Sequence, residues 1–329
     1  MKNFDSIIGQ GVLKKQLMGA VEHDTPSHAY LLEGEPKSGK EYVAKIFAKA
    51  LLCEGEGVKP CCQCEACRHV EEDTHPDLIY LVPSKQNLIS VDDIREQITG
   101  TVSVKPMNNR RKVYIVLNTE TMNLQAQNAL LKTLEEPPAY VTMLLLTESM
   151  EMMLPTIMSR CVKLHMAPVE DALIEKYLKE ELQISPSRIE FCKAFARGNV
   201  GRAKKLSSSE EFDQIKNNAL SLVKNIYEMD IAEILDAISQ ISEYGFEVKD
   251  YLDICAIWYR DVLLFKATHD INHLIFKEEI NAITRIAKRS SYEGIEAIIE
   301  ALEKAKARLR NNVKYELVME LLLLAIREN

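Results

Sequence analysis

Short runs of consecutive apolar residues alternate, through the first half of the chain, with segments in which apolar residues recur every three or four positions. HAYLLEG at 28–34, DLIYLV at 77–82, KVYIVL at 112–117 and VTMLLLT at 141–147 are the runs. A near-continuous run of this length suits a strand covered on both faces, because successive side chains point to opposite sides and both sides must be buried. KEYVAKIFAKALLC at 40–53 has the other period, with Val43, Ile46, Phe47, Ala50 and Leu51 on one helical face. This alternation predicts a parallel sheet with helices on both faces.

The pattern changes near Ala167, where strand-like runs stop and the rest of the chain reads as successive helices. DALIEKYLKEEL, AEILDAISQI and VKDYLDICAIWYRDVLLFKA all carry the three-and-four spacing. In YEGIEAIIEALEKAKARL the stripe is Tyr292, Ile295, Ile299, Leu302 and Leu309. An ordinary bundle core and an oligomer seam both fit that stripe. Boundaries are expected at Ala167-Pro168 and in the polar LSSSEE stretch at 206–211.

Composition narrows the partners. Forty-one basic against 49 acidic residues give a formal charge of −8, so no general electrostatic attraction draws the chain to DNA or to an anionic membrane. No stretch approaches the roughly eighteen consecutive apolar residues of a membrane span, and MKNFDSIIGQ places Asp5 and Gly9 where a secretory signal needs an apolar run. The expectation is a soluble cytoplasmic protein with no membrane partner. Its cysteines are then thiols or metal ligands rather than disulfides.

Five of those cysteines fall in CEGEGVKPCCQCEAC at 53–67. Cys53, Cys61, Cys64 and Cys67 are spaced as C-x₇-C-x₂-C-x₂-C, which lets four thiolates converge on one tetrahedral ion. A closed set of four leaves no position for a reacting water, so the expected group is structural Zn²⁺. The two x₂ steps favour Cys61 over its neighbour Cys62 as the ligand. A nucleic-acid finger is the competing reading, but Lys59 and Arg68 stand against Glu54, Glu56 and Glu65, with no aromatic residue for base stacking.

GEPKSGKE at 34–41 follows the G-x-x-x-x-G-K-[ST] phosphate loop through Gly34, Gly39 and Lys40, with a strand before it and a helix after it. Glu41 then stands where a Ser or Thr would hold Mg²⁺. Its carboxylate competes for the positive helix end that a phosphate would occupy, although it could itself ligate the ion. Hydrolysis also needs an acidic strand end to hold Mg²⁺ and activate water. The strand that should supply it ends in Leu117 and Asn118. The expectation is a loop that retains its shape, with residual nucleotide binding open, and that does not hydrolyse ATP by itself.

In these motifs together, the chain resembles the bacterial clamp-loader AAA+ subunits. The resemblance runs through FDSIIGQ, SHAYLLEGEPKSGK, the cysteines inserted after LLC, ISVDDIREQI, KVYIV, LQAQNALLKTLEEPP, LPTIMSRCVKL and GNVGRAKKL. Beyond residue 210 it is carried by NNVKYELVMELLLL. It implies an AAA+ P-loop domain at 1–166 with a zinc module at 53–67, a helical lid at 167–208 and an all-α oligomerisation collar at 209–329. It also implies a place in the DNA polymerase III clamp loader, beside gamma/tau ATPase subunits and a delta subunit, acting on the sliding clamp and primed DNA.

Within that family, motor subunits hydrolyse ATP and a stator subunit carries a degraded site; Glu41, Leu117 and Asn118 put this chain with the stator. The resemblance gives Arg160, in the tripeptide Ser159-Arg160-Cys161, the role of an arginine finger reaching the γ-phosphate of a neighbour's ATP. It matches Arg202 and Thr147 to nucleotide sensors. The alternative is an active gamma/tau-type motor that uses Glu41 as a substitute Mg²⁺ ligand. The basic KPMNNRRK loop at 105–112 suits either a phosphate contact or an ordinary exposed turn.

Overall fold

Five strands, Ala29–Glu33 (β1), Leu78–Tyr80 (β2), Lys112–Val116 (β3), Val141–Thr147 (β4) and Val162–His165 (β5), pair in parallel in the order β2-β3-β4-β1-β5. They belong to a computed structural model that describes residues 2–85, 88–107, 110–243, 248–311 and 313–329. Four strands fall on the four apolar runs. The fifth was not expected: it has four residues, and only Leu164 is buried while Val162 is 41% exposed, so it lacks the run that marks a doubly covered strand.

β1 lies between β4, with Ala29 opposite Met143, and β5, with Tyr30 opposite Val162. Alternate residues of β1 enter separate apolar layers. Tyr30 and Leu32 pack with Ile46, Phe47 and Leu52 of α2 (Lys40–Leu52), beneath α1 (Gly11–Glu22). Ala29 and Leu31 pack on the other face with Ile94, Ile98, Leu130 and Leu134. That face is formed by α4 (Val91–Ile94), which continues through a π turn at Arg95–Thr99, and by α5 (Leu124–Glu135), with α3 (Glu65–Glu71) lying earlier in the chain. Leu51, expected on the buried face of α2, is only half-buried, and Leu52 is buried instead.

After α6 (Pro155–Met158) and β5 the described residues are helical: α7 (Asp171–Glu180), α8 (Pro186–Ala196), α9 (Val200–Ser208), α10 (Glu210–Asn225), α11 (Ile231–Glu243), α12 (Val248–Thr268), α13 (Ile280–Arg289), α14 (Tyr292–Arg310) and α15 (Tyr315–Glu328), with a 3-10 turn at Lys277–Glu279. The polar stretch at 206–211 ends α9 and caps α10, where the Ser209 hydroxyl accepts from the Phe212 amide at 3.1 Å. None of these helices is long and apolar enough to cross a membrane, among the described residues.

The chain divides into two compact units, Met1–Glu181 with Ala196–Ala203, and Leu182–Phe195 with Lys204–Asn329. The second is built around the fully buried Trp258, next to Phe276, with the rings of Phe191, Phe195 and Phe212 packed in the same core. Its α14 stripe is not the expected one. Ile295, Ile298, Leu302 and Ala305 are buried, whereas Tyr292 is 49% exposed and Ile299 and Leu309 are half-buried. Steps of three, four and three hold the stripe on one side of the helix, and Tyr292 at the first turn falls outside the packed length.

Candidate functional site

The phosphate loop leaves the carboxyl end of β1, at the position where strand order reverses in an open parallel sheet and ligand crevices form. Gly34 donates its amide to the Thr147 carbonyl at 3.1 Å, which ties the loop to the end of β4. Gly39, with φ +94°, makes the left-handed turn into α2 that a side chain would strain. The strand, turn and helix expected around Gly34, Gly39 and Lys40 are all present.

Lys40 does not extend into open space. It is 9% exposed, and its Nζ donates to the loop's own Gly34 carbonyl at 2.6 Å and to the Thr147 carbonyl at 2.9 Å. Burial holds its ammonium below the ordinary lysine pKa, against the opposing carboxylates of Glu120, Glu148 and Glu33. A cavity of about 540 Å³ beside it is lined by Lys37, Glu41, Leu117, Asn118 and Glu148. Leu117 is half-buried against the apolar layer, and Asn118 turns the chain with φ +51°. Thr147, matched by resemblance to a nucleotide sensor, directs its hydroxyl to the Ser149 carbonyl at 3.0 Å.

One side of the loop is held by the GNVGRA segment, in which the resemblance assigns a role to Arg202 alone. Asn199 donates from Nδ2 to the Pro36 carbonyl at 2.9 Å, and its Oδ1 accepts from the Arg202 amide at 3.0 Å. Asparagine at a helix start commonly signals a cap. Its second contact, to a loop 163 residues earlier, has no local signature.

Arg160 follows α6 and lies on the surface with a 35% exposed side chain. Its NH1 donates to the Thr156 carbonyl at 2.9 Å and to Ser159 Oγ at 3.3 Å, and NH2 is paired with Glu135 Oε1 at 2.8 Å. Cys161 instead packs against the core layer of β3 and β4, where burial pushes its thiol up to about 12. Within SRC, Ser159 is exposed, Arg160 is partly exposed and Cys161 packs against the core. Of the basic loop at 105–112, Asn108 and Asn109 lie outside the described residues. Arg111 is paired with Asp24 at 2.7 Å, and Lys112 donates to the Thr101 and Val104 carbonyls.

The sulfur cluster is built from the end of α2 and the start of α3. Cys53 caps α2, and Cys64 caps α3, its Sγ accepting from the Cys67 amide at 3.4 Å. The Sγ atoms of Cys53, Cys61, Cys64 and Cys67 all lie within 4.8 Å of one another, with 4.0 Å separations for Cys53–Cys64 and Cys61–Cys67. Tetrahedral thiolates about 2.3 Å from one ion would stand about 3.8 Å apart, so the set fits a metal ion. Cys62 points elsewhere, with Sγ 3.4 Å from the Lys2 carbonyl.

Backbone amides at Gln63 and Cys64 hold the Cys61 thiol down to about 6, whereas burial pushes Cys67 up. Gly55 completes the cradle, since a Cβ there would stand 2.6 Å from Cys61 Sγ. Nothing in the spacing of the cysteines marks this glycine.

Two family models match the chain, "DNA polymerase III, delta subunit" over residues 9–170 and "DNA polymerase III, delta subunit, C terminal" over residues 210–328. The DNA polymerase III subunit delta' of Bacillus subtilis is 30% identical, with 95% of each chain covered. The chain belongs to the delta-prime family of DNA polymerase III subunits. The delta' protein of Pseudomonas aeruginosa is likewise 30% identical over 95% of both chains. The tau subunit of B. subtilis is 27% identical over 94% of this chain, which spans 58% of that longer protein. For this delta-prime family member, the AAA+ P-loop fold with its helical C-terminal region, expected by resemblance, is the fold observed.

Proposed function

We propose that this chain is a non-hydrolysing stator of the DNA polymerase III clamp loader. In this reading it assembles with gamma/tau ATPase subunits and a delta subunit in the cytoplasm. It supports ATP-dependent loading of the sliding clamp on primed DNA and offers Arg160 as a trans arginine finger to a neighbour's ATP. Residues 1–166, 167–208 and 209–329 act as P-loop domain, lid and collar, and Cys53, Cys61, Cys64 and Cys67 hold structural Zn²⁺.

The observation that carries the reading is the cavity beside Lys40, whose strand end offers Leu117 and Asn118 where hydrolysis requires carboxylates. Leu117 cannot hold Mg²⁺, and the amide of Asn118 cannot take a proton from water. Lys40 donates to two backbone carbonyls of its own domain, which holds its ammonium against the loop. Arg160 is partly exposed and keeps donors in reserve, as a group acting on another subunit's nucleotide must.

Two measurements test this. The isolated chain is expected to show negligible ATP turnover, and sustained hydrolysis abolished by Lys40→Ala would establish the motor reading instead. In a loader reconstituted with gamma/tau and delta subunits, Arg160→Ala is expected to cut DNA-stimulated turnover at its one site by about 10³–10⁵, as fingers in other NTPases do. Undiminished turnover at that site would remove the finger assignment.

A further inference from the structure

We propose that Glu135 is the positioning residue for Arg160, a carboxylate that sets the guanidinium before a neighbour's phosphate arrives. The inference rests on the finger reading above and names a second residue for it.

Glu135 is the last residue of α5, where the exposed carbonyl ends of the helix disfavour a carboxylate. Local helix energetics therefore do not account for an acidic residue there. Leu130 and Leu134 anchor the same helix end in the core, and Pro137 and Pro138, with φ fixed by their rings, come after the single capping residue Glu136. The carboxylate thus projects from stiff backbone, with its Oε1 2.8 Å from NH2 of Arg160. Side-chain exposures of 49% for Glu135 and 35% for Arg160 make this a solvent-screened pair, a kind that adds almost nothing measurable to stability.

The pair does restrict geometry. An arginine side chain gives up considerable rotamer freedom when it docks on a phosphate. Here the contacts to Glu135, the Thr156 carbonyl and Ser159 Oγ fix the guanidinium beforehand, and they engage at most three of its five N–H groups. The remaining donors are left for an external anion. A phosphate bearing several charges also competes well against one exposed carboxylate, so the contact to Glu135 can loosen as the phosphate is bound.

The test uses the loader reconstituted with gamma/tau and delta subunits, following kcat and KM for ATP with wild-type chain, Glu135→Ala, Glu135→Gln, Arg160→Ala and the Glu135→Ala/Arg160→Ala pair. A contact that orients a group used only in the transition state lowers kcat without moving KM, and Glu135→Ala is expected to lower kcat at the finger's site about three- to tenfold. Glu135→Gln, which keeps an acceptor, should fall between wild type and alanine. The double substitution should be no worse than Arg160→Ala alone.

Unchanged kcat in Glu135→Ala, or a loss that adds in full to that of Arg160→Ala, overturns the inference. So does a loss accompanied by a lower melting midpoint or impaired assembly in both Glu135 variants, which marks a structural role. An unaffected Arg160→Ala complex would instead overturn the finger reading, and this inference with it.

Discussion

The sulfur cluster and the phosphate loop stand at opposite ends of one helix, α2, and keep the side chains their chemistry would need to different degrees. At the carboxyl end, Cys53 joins three other thiols in a complete donor set, with backbone amides directed at the sulfurs and a glycine clearing space for one of them. At the amino end, the turn and the lysine persist, but the side chains that would manage Mg²⁺ and water are Glu41, Leu117 and Asn118. A metal staple depends on every ligand, because one missing thiolate opens the shell. A phosphate loop can lose its catalytic partners and remain useful as a strand-to-helix joint, because its backbone is held by bonds that need no nucleotide. On the proposed reading, the difference separates a site whose chemistry would be its structure from one whose structure would outlast its chemistry.

The largest expected effect falls on the cluster. Removing the ion with a chelator, or replacing ligands in Cys64→Ser/Cys67→Ser, should abolish metal binding and expose the backbone of 53–67 to hydrogen exchange. Structural zinc is folding free energy, so the loss should be several kcal/mol, a sizeable part of an ordinary domain's roughly 5–15 kcal/mol. Elemental analysis should give one zinc per chain before treatment. Full stability of the double variant would remove the contrast between the two sites.

The loop should respond differently. Lys40→Met removes the donor to the Gly34 and Thr147 carbonyls and leaves a chain of similar length in its place. The expected cost is about 1–2 kcal/mol, the range for a lost buried hydrogen-bond donor, measurable as a shift of the urea midpoint. Turnover of the reconstituted loader should stay within about twofold, less than about 0.5 kcal/mol in barrier, because the proposed hydrolysis takes place in neighbouring subunits and not at Lys40. A collapse of turnover without loss of stability would return catalytic work to Lys40.

What could be read along the chain follows the same division. Doubly buried strands announce themselves as apolar runs, and clustered cysteines announce a converging set of thiols by spacing, since both signals are local. β5 was missed because it is an edge strand with one buried side chain, which has neither an apolar run nor a clean alternation. Gly55, Asn199 and Glu135 were missed as site residues for another reason: each acts through a contact across the fold. Gly55 matters because Cys61 approaches it, Asn199 because Pro36 lies opposite, and Glu135 because Arg160 folds back onto α5. The α14 stripe was misplaced by a single step at Ile299, where Ile298 is buried instead, since several apolar faces fit one helix until a neighbour selects between them.

The smallest effect concerns the charge on Lys40. Burial depresses its folded-state pKa below the ordinary 10.5, so the folded chain releases this proton before the unfolded chain does. Below the folded pKa both states are charged, and the penalty for burying the ammonium is fully present. As pH rises through the folded pKa toward 10.5 the folded state sheds the charge first, and the penalty is relieved. The neutral amine still has N–H groups for both the Gly34 and Thr147 carbonyls, so the joint remains closed. The stability of wild type relative to Lys40→Met should therefore improve between neutral pH and about pH 10, with the comparison made on one chain pair so that other titrations cancel. Urea midpoints for both proteins at the two ends of that range measure it. A difference that shrinks or stays constant would mean that the ammonium is not held at a cost, and that the loop keeps its lysine ready for phosphate.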